Sequence, residues 1–341
     1  MDYFYAQLEE QRHPEAKGRV VAVCMFSGRT NDSGAVATVN YEGRGFGIHA
    51  GMPIIFAKKK APKDAVFLPA DREYYAYQSN KIDEIIRGIC DKVVQASIDE
   101  WNIEDSNAAE KAPVLRQKIK KELNLTCTIC VAPSILGAKM GAATAKPAGL
   151  LILDATKEKK IIEDSPVQKV PGIGNKTADA LGHLGVTTVH DMKKIDPTAL
   201  VETFGKKTGA WLHNLAIGSY VQELGEEKEQ EEISRIGTLK HKTRNPEIIL
   251  EKLEELEKDA QEWLMDMKKS YKTLAIIFMT DDMRSHTKSI SFRNPRPWDS
   301  IILKEKRELV EEFIHENPLE IRRIGIKFGN FMDLEGQTRL F

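Results

Sequence analysis

Cysteine is scarce in this chain, with four residues in 341. That is too few for a disulfide framework at this length and points to a reducing cytoplasm. Long apolar runs are missing too, and none approaches the roughly 18 residues that a membrane span requires. No signal-peptide pattern opens the chain. Net charge is close to absent, −1 from 50 basic and 51 acidic residues, so only local clusters of charge can point to a partner. The expectation is a cytoplasmic protein with no membrane segment, long enough for more than one domain with its own core.

What the chain does have is an apolar run ending in two acids, Ala96-Ser97-Ile98-Asp99-Glu100, with the strand formers Val93-Val94 leading in. Burying two adjacent carboxylates is costly unless a cation neutralises them. Mg²⁺ suits such a pair, because it binds carboxylate oxygens and keeps places for phosphate and water. A solvated acidic hairpin is the plain alternative for a bare Asp-Glu dipeptide. Cys127-Thr128-Ile129-Cys130 has CxxC spacing, but strand residues an odd number apart point to opposite faces. No second CxxC completes a zinc site, so neither metal nor redox chemistry is expected there.

Patterning organises the rest. Residues 20–24 and 35–41 read as strands, and the glycines at 43, 45 and 47 weaken any helix behind them. Helices are expected over 114–123 and 136–145, a strand over 126–131 and a buried strand over 150–153. Val170-Pro171-Gly172-Ile173-Gly174-Asn175-Lys176-Thr177 is a helix-hairpin-helix signature. Its turn exposes backbone N–H groups at a helix N-terminus, an anion site for a DNA phosphate. Gly172, Gly174 and Lys176 are its candidate contacts, residues 205–209 a weaker second one. Leu212, Leu215 and Ile217 read as core. Residues 225–232 form a charged tether. From Ile233 the order is βαββαβ, with helices over 246–270 and 301–316, which suits an antiparallel sheet carrying two helices on one face. Alternation along the last strand sends Ile324, Ile326 and Phe328 toward those helices and leaves Arg323 and Lys327 on the open face. Lys240, Lys242, Arg244, Lys288 and Arg293 are candidates to join them.

Five segments occur in a recognisable order and separation: Asp2-Tyr3-Phe4-Tyr5-Ala6-Gln7, Ser33-Gly34-Ala35-Val36-Ala37-Thr38, Asn40-Tyr41-Glu42, Ala50-Gly51-Met52-Pro53 and Ser97-Ile98-Asp99-Glu100. Together they resemble the Y-family, lesion-bypass DNA polymerases, in the archaeal branch related to DNA polymerase IV, over essentially the whole chain. The resemblance implies an α+β right-hand polymerase. Its parts would be an antiparallel-sheet palm (1–3 and 71–154), small fingers (4–70), a helix-hairpin-helix thumb (155–220), an acidic linker (221–232), a little finger (233–331) and a tail (332–341). It implies primer-template DNA and deoxynucleoside triphosphates as partners, two Mg²⁺ per active site, and a monomer.

Roles follow residue by residue. Asp99 would ligate Mg²⁺, and Glu100 would sit at the primer 3′-hydroxyl and the metals. Tyr5 would be a steric gate under the incoming sugar, leaving no room for a 2′-hydroxyl. Tyr41, Arg44 and Lys146 would hold the triphosphate, with Tyr3, Phe4 and Thr38 beside the nucleotide. Gly34, Ala35, Ala37 and Gly51 would leave room for damaged bases. Gln337, Leu340 and Phe341 resemble a truncated sliding-clamp peptide.

The chain also departs from that pattern. A further metal-ligating aspartate and its strand belong upstream of Met1, and the expectation is that an internal codon was taken as the start. Trp101-Asn102-Ile103-Glu104 replaces the usual strand after the acidic pair, Ile135 and Cys130 stand where lysine and glycine are usual, and the linker is acidic rather than basic. Template-directed, low-fidelity translesion polymerisation is therefore expected. The alternative is a catalytically impaired DNA- and clamp-binding relative, and a repair nuclease is a third, weaker reading.

Overall fold

The computed structural model describes residues 1–220, 223–226 and 230–333. Apolar runs bounded by caps set the elements of its first part. Helix α1 (Phe4–Arg12) is followed by strands β1 (Val21–Phe26) and β2 (Gly34–Val39), then short helices α2 (Tyr41–Gly45) and α3 (Ile54–Lys60). Strand β3 (Val66–Pro69) completes a three-stranded sheet in the order β2-β1-β3. The glycine-rich segment after Val39 is helical after all. The Asn40 side chain caps α2 by accepting from the Gly43 N–H at 3.1 Å, which offsets the weak intrinsic preference.

Helix α4 (Arg72–Arg87) buries Tyr75, Ser79, Ile82, Ile85 and Ile86, the three- and four-residue spacing of a core-facing stripe. Its N-cap is Asp71, whose carboxylate accepts from the Tyr74 N–H. Next come β4 (Lys92–Ser97), β5 (Glu100–Glu104), α5 (Ala108–Leu123), β6 (Ile129–Val131), α6 (Ile135–Ala145) and β7 (Leu150–Ile152). The expected antiparallel palm sheet is present as two separate pairs: β4-β5 antiparallel and β6-β7 parallel. The strand expected over 126–131 pairs only from Ile129, because Thr126 and Thr128 spend their polar groups on α1 and Asp2 instead. Strand β7 is only partly buried, and Ile152 is among the exposed large hydrophobics.

Helices α7 (Ala155–Glu163), α8 (Asn175–His183) and α9 (Pro197–Ile217) surround a second core that includes Ile162, Val170, Leu181, Leu200, Leu212 and Leu215. Gly205 leaves the helical region (φ 79°, ψ 161°) and splits α9 in two. Ile217, expected in this core, is 58% exposed: the stripe stops one residue short of the Gly218 cap.

The C-terminal segment holds β8 (Glu232–Thr243), α10 (Pro246–Asp266), β9 (Lys269–Thr280), β10 (Ser285–Arg296), α11 (Leu303–Glu316) and β11 (Ile321–Asp333). The strands form one antiparallel sheet in the order β10-β9-β11-β8. Ile324, Ile326 and Phe328 are fully buried in the core shared with α10 and α11, and Phe278 stacks on Phe313 at 4.0 Å between ring centres. By contacts the chain divides into two compact units. One comprises Met1–Val23, Ala37–Ala50 and Lys60–Glu227; the other Cys24–Val36, Gly51–Lys59 and Lys228–Phe341. No helix among the described residues is long and apolar enough to cross a membrane.

Candidate active site

Ile98 and Asp99 form the turn between β4 and β5, so the first acid sits at the tip and Glu100 opens the second strand. Asp99 is half-buried and accepts from the Ser97 hydroxyl at 2.9 Å. The backbone nitrogen of Met1 donates to the Asp99 carbonyl. Glu100 is paired with Lys139 of α6, Nζ to Oε1 at 2.7 Å. Trp101 anchors the strand behind the pair, its indole N–H donating to Asp83 of α4 at 2.9 Å. Asp2 is a different kind of acid: fully buried, it accepts from Thr128 Oγ1 and the Ala148 N–H, each at 2.8 Å.

Tyr5 and Lys146 are tied to this turn, and Tyr3, Tyr41 and Arg44 form a cluster of their own. Tyr5 is half-buried and its ring stacks on Tyr75, 4.3 Å between centres and 14° from parallel. Burial raises the Tyr5 pKa, and the charge of Asp99 raises it further, so the phenol and the acidic turn share one neighbourhood. The Met1 amino group senses the same turn. Burial lowers its pKa most, Asp99 opposes that effect, and Lys146, the C-cap of α6, adds to it. Tyr3 meets Tyr41 edge-on at 5.4 Å, and burial with the nearby Glu10 pushes its pKa up to about 12. Arg44 lies over the Tyr41 ring at 4.5 Å, on one face of α2 as their spacing requires. Among the described residues the buried Tyr41 hydroxyl has no hydrogen-bond acceptor, and the Arg44 guanidinium lies beside it. Thr38 is half-buried on β2. Phe4 is the exception: its ring is 2% exposed in the core, so only its backbone could reach a substrate.

Known proteins resemble this chain along its length. The impB/mucB/samB family model matches residues 1–143 and its C-terminal domain model residues 230–340. The DNA polymerase-iota thumb domain matches residues 168–219. DNA polymerase IV of Methanosarcina acetivorans is 38% identical, across 100% of this chain and 97% of its own. DNA polymerase IV of Saccharolobus solfataricus is 34% identical, with the same coverage. Among solved structures, a Y-family DNA polymerase chimera of Dbh and Dpo4 superposes with a TM-score of 0.91 at 32% identity, covering 97% of each chain. An insertion ternary complex of Dbh DNA polymerase superposes at 0.68, also at 32% identity and 97% of each.

The chain belongs to the Y-family DNA polymerases.

Y-family polymerases are lesion-bypass, DNA-directed DNA polymerases, and they are metal-dependent. The donor set of this polymerase fits a hard cation. Asp99 and Glu100 offer partly exposed carboxylate oxygens at a turn, and Mg²⁺ typically takes one or two protein carboxylates with water and substrate phosphate. No group of three or more His, Cys, Asp or Glu side chains suited to a metal occurs among the described residues. Burial pushes the Cys127 and Cys130 thiols up to about 11, so both are neutral thiols near neutral pH.

In the helix-hairpin-helix, Gly172 (φ +95°) is left-handed, and a Cβ there would meet the Trp211 ring at 3.1 Å. Gly174 caps α8 in ordinary extended geometry with open space around it, so no internal contact demands glycine there. Lys176 is exposed in the first turn. In the C-terminal sheet, Arg323 pairs with Thr238 on β8 and with Met279 on β9, and Lys327 with Ser234 and Ala275. Both therefore share the open face, since Ile324, Ile326 and Phe328 fill the other. Among the described residues the buried Arg323 Nε has no partner. Lys327 pairs with Glu232 at 2.8 Å, and Lys242 with Asp281. Lys240 and Arg293 are exposed.

Two other candidates are corrected. Lys288 turns to the helix side, where Glu312 and Glu316 hold it at 2.7 and 2.6 Å. Arg244 donates to the Ile314 carbonyl. Gln337, Leu340 and Phe341 lie outside the described residues. Sequence reading missed Lys139 altogether; its signal was the seven-residue interval to Lys146, which puts both on one face of a helix.

Proposed function

We propose that this chain adds deoxynucleotides to a primer 3′ end under template direction, including across damaged bases, with Asp99 and Glu100 holding two Mg²⁺ ions. The observation that carries the reading is one neighbourhood shared by the acidic turn, the Tyr5 ring and the end of α6 at Lys146. Bound there, the cations would stabilise charge on the attacking oxygen and the departing pyrophosphate. The protein's share is positioning. Ser97 orients Asp99, and the Tyr5 ring, braced by Tyr75, forms the floor under the sugar that excludes a 2′-hydroxyl. Arg44, Tyr41 and Lys146 supply donors for the triphosphate. Among the described residues no acceptor faces the buried Tyr41 hydroxyl, which leaves its proton for a phosphate oxygen.

Residues 1–3 and 71–154 serve as palm, 4–70 as fingers, 155–220 as thumb and 233–331 as little finger, joined by the 221–232 linker. The turn at Gly172 to Lys176 and the open-face cations Lys240, Lys242, Arg293, Arg323 and Lys327 track the primer-template backbone. DNA affinity then falls with salt by roughly one log–log unit per phosphate contact. The protein works as a cytoplasmic monomer, with the tail offered to a sliding clamp.

A second reading, a DNA- and clamp-binding relative with impaired catalysis, is favoured by one observation: among the described residues no third acid joins the two at the turn in a metal-binding group, and one of the two is paired with a lysine. Primer extension in Mg²⁺ with deoxy- or ribonucleoside triphosphates separates the two. The polymerase reading expects extension by deoxynucleotides alone, and loss of that discrimination in Tyr5→Ala. DNA binding without extension supports the binder, and cleavage instead of extension a nuclease.

A further inference from the structure

Lys139 stands beside the machinery assigned above without a role in it. It lies on α6 with a half-exposed side chain, 2.7 Å from Glu100. Seven residues on, Lys146 caps the same helix. Seven residues are two turns, so the two lysines stand on one side of α6, about 10 Å apart along the axis. The helix cannot easily shift to part them. Its N-cap Ser134 donates to the buried Glu158 of α7 from both its N–H and its hydroxyl, at 2.8 and 2.6 Å. Gly137, in the first turn, lies so close to that carboxylate that a Cβ would sit 1.9 Å from Oε1.

The two acids are thus already engaged from within the chain, Asp99 by a neutral hydroxyl and Glu100 by a full positive charge. A hydroxyl leaves a carboxylate free to take a cation as well; an ammonium ion competes with it.

We propose that Lys139 is a placeholder cation: it occupies Glu100 in the free protein and yields it when nucleotide arrives, which makes metal binding at the turn conditional on nucleotide. This deepens the polymerase reading and rests on it. A nucleotide triphosphate brings negative charge to the lysine side of the turn, giving Lys139 an alternative partner, and the freed Glu100 oxygen passes to the metal that travels with the nucleotide. No bond is made or broken; three ion pairs are exchanged. Because the pair is half-exposed, solvent screens it, and the competition is worth a factor of about two to five in metal affinity.

Mn²⁺ binding to the full chain, read by the electron paramagnetic resonance of free Mn²⁺, tests this without catalysis. Without nucleotide, Lys139→Met is expected to bind Mn²⁺ about two to five times more tightly than wild type, and Lys139→Arg to match wild type. With a deoxynucleoside triphosphate present and no primer, that gap closes or reverses. Unchanged or weaker binding by Lys139→Met without nucleotide, or no binding by either protein, overturns the proposal. Placing Asp99→Ala in the Lys139→Met background tells the two levels apart. If tightened binding survives that change, the ion lies away from the turn, and the reading of the site itself falls.

Discussion

Two lysine–glutamate pairs in this polymerase share a chemistry and differ in everything else. Lys306 and Glu257 join α11 to α10 inside the C-terminal unit; both residues are buried, and Gln261 donates to the second Glu257 oxygen at 3.2 Å. Lys139 and Glu100 join α6 to the start of β5, with side chains 47% and 39% exposed. Removing one partner of the first leaves an unpaired charge among Leu, Ile and Phe side chains. Removing one partner of the second leaves a charge that water can hydrate. A buried pair is therefore part of the architecture, and a half-exposed pair is exchangeable. On the proposed exchange at Glu100, that contrast separates the region that holds its shape from the region that would trade partners during a reaction cycle.

The largest expected effect tests the buried side of the contrast. Lys306→Ala should destabilise the C-terminal unit by about 3–5 kcal/mol, read as an earlier urea transition in the fluorescence of Trp263, which packs on that core. A loss below 1 kcal/mol would mean that water reaches the pair. Next comes Gly137→Ala, which drives a methyl group into the Glu158 carboxylate. About 1–3 kcal/mol is expected from such overpacking, read in thermal melting, together with slower primer extension, because α6 carries both Lys139 and Lys146.

A pH series probes a third carboxylate, held chiefly by threonine hydrogen bonds, with an exposed lysine, Lys194, 3.3 Å from its other oxygen. Asp191 accepts from the hydroxyls and N–H groups of Thr187 and Thr188, and the Thr187 hydroxyl leads in holding its carboxyl far below the usual range. A depressed folded-state pKa adds stability above the unfolded value and loses it as pH falls through the folded one. The melting temperature of wild type should therefore exceed that of Asp191→Asn near neutrality and converge on it in acid. A constant gap across pH would contradict this. Smallest of all, Lys139→Met should change stability by less than about 1 kcal/mol, and a larger loss would place that pair with the architecture.

What the sequence made legible follows the same division. The βαββαβ order, the two helices on one face and the inward Ile324, Ile326 and Phe328 were readable because burial imposes a period on the residues it selects. Arg323 and Lys327 followed from the same alternation, and it accounts for Lys288 as well: that residue lies opposite the core residue Ile276 and two before Ile290, so its side chain starts on the helix side, beside Glu312 and Glu316. At the turn the acids were visible as an oddity in an apolar run, but their company came only from resemblance. Tyr5, Lys139 and Lys146 are far from Asp99 in sequence, and only Lys146 and Tyr5 had a family motif to mark them. The split palm strands were not legible either, since three-residue strands carry too little pattern to reveal their partners.

The central claim is that the carboxylate at the tip of the β4–β5 turn carries catalysis. Primer extension in Mg²⁺ by wild type and Asp99→Ala, at matched DNA occupancy, tests it most directly. Extension by wild type and a loss of about 100-fold or more in the variant, with DNA affinity retained, is the expected result. An Asp99→Ala chain that extends primers as fast as wild type would contradict it.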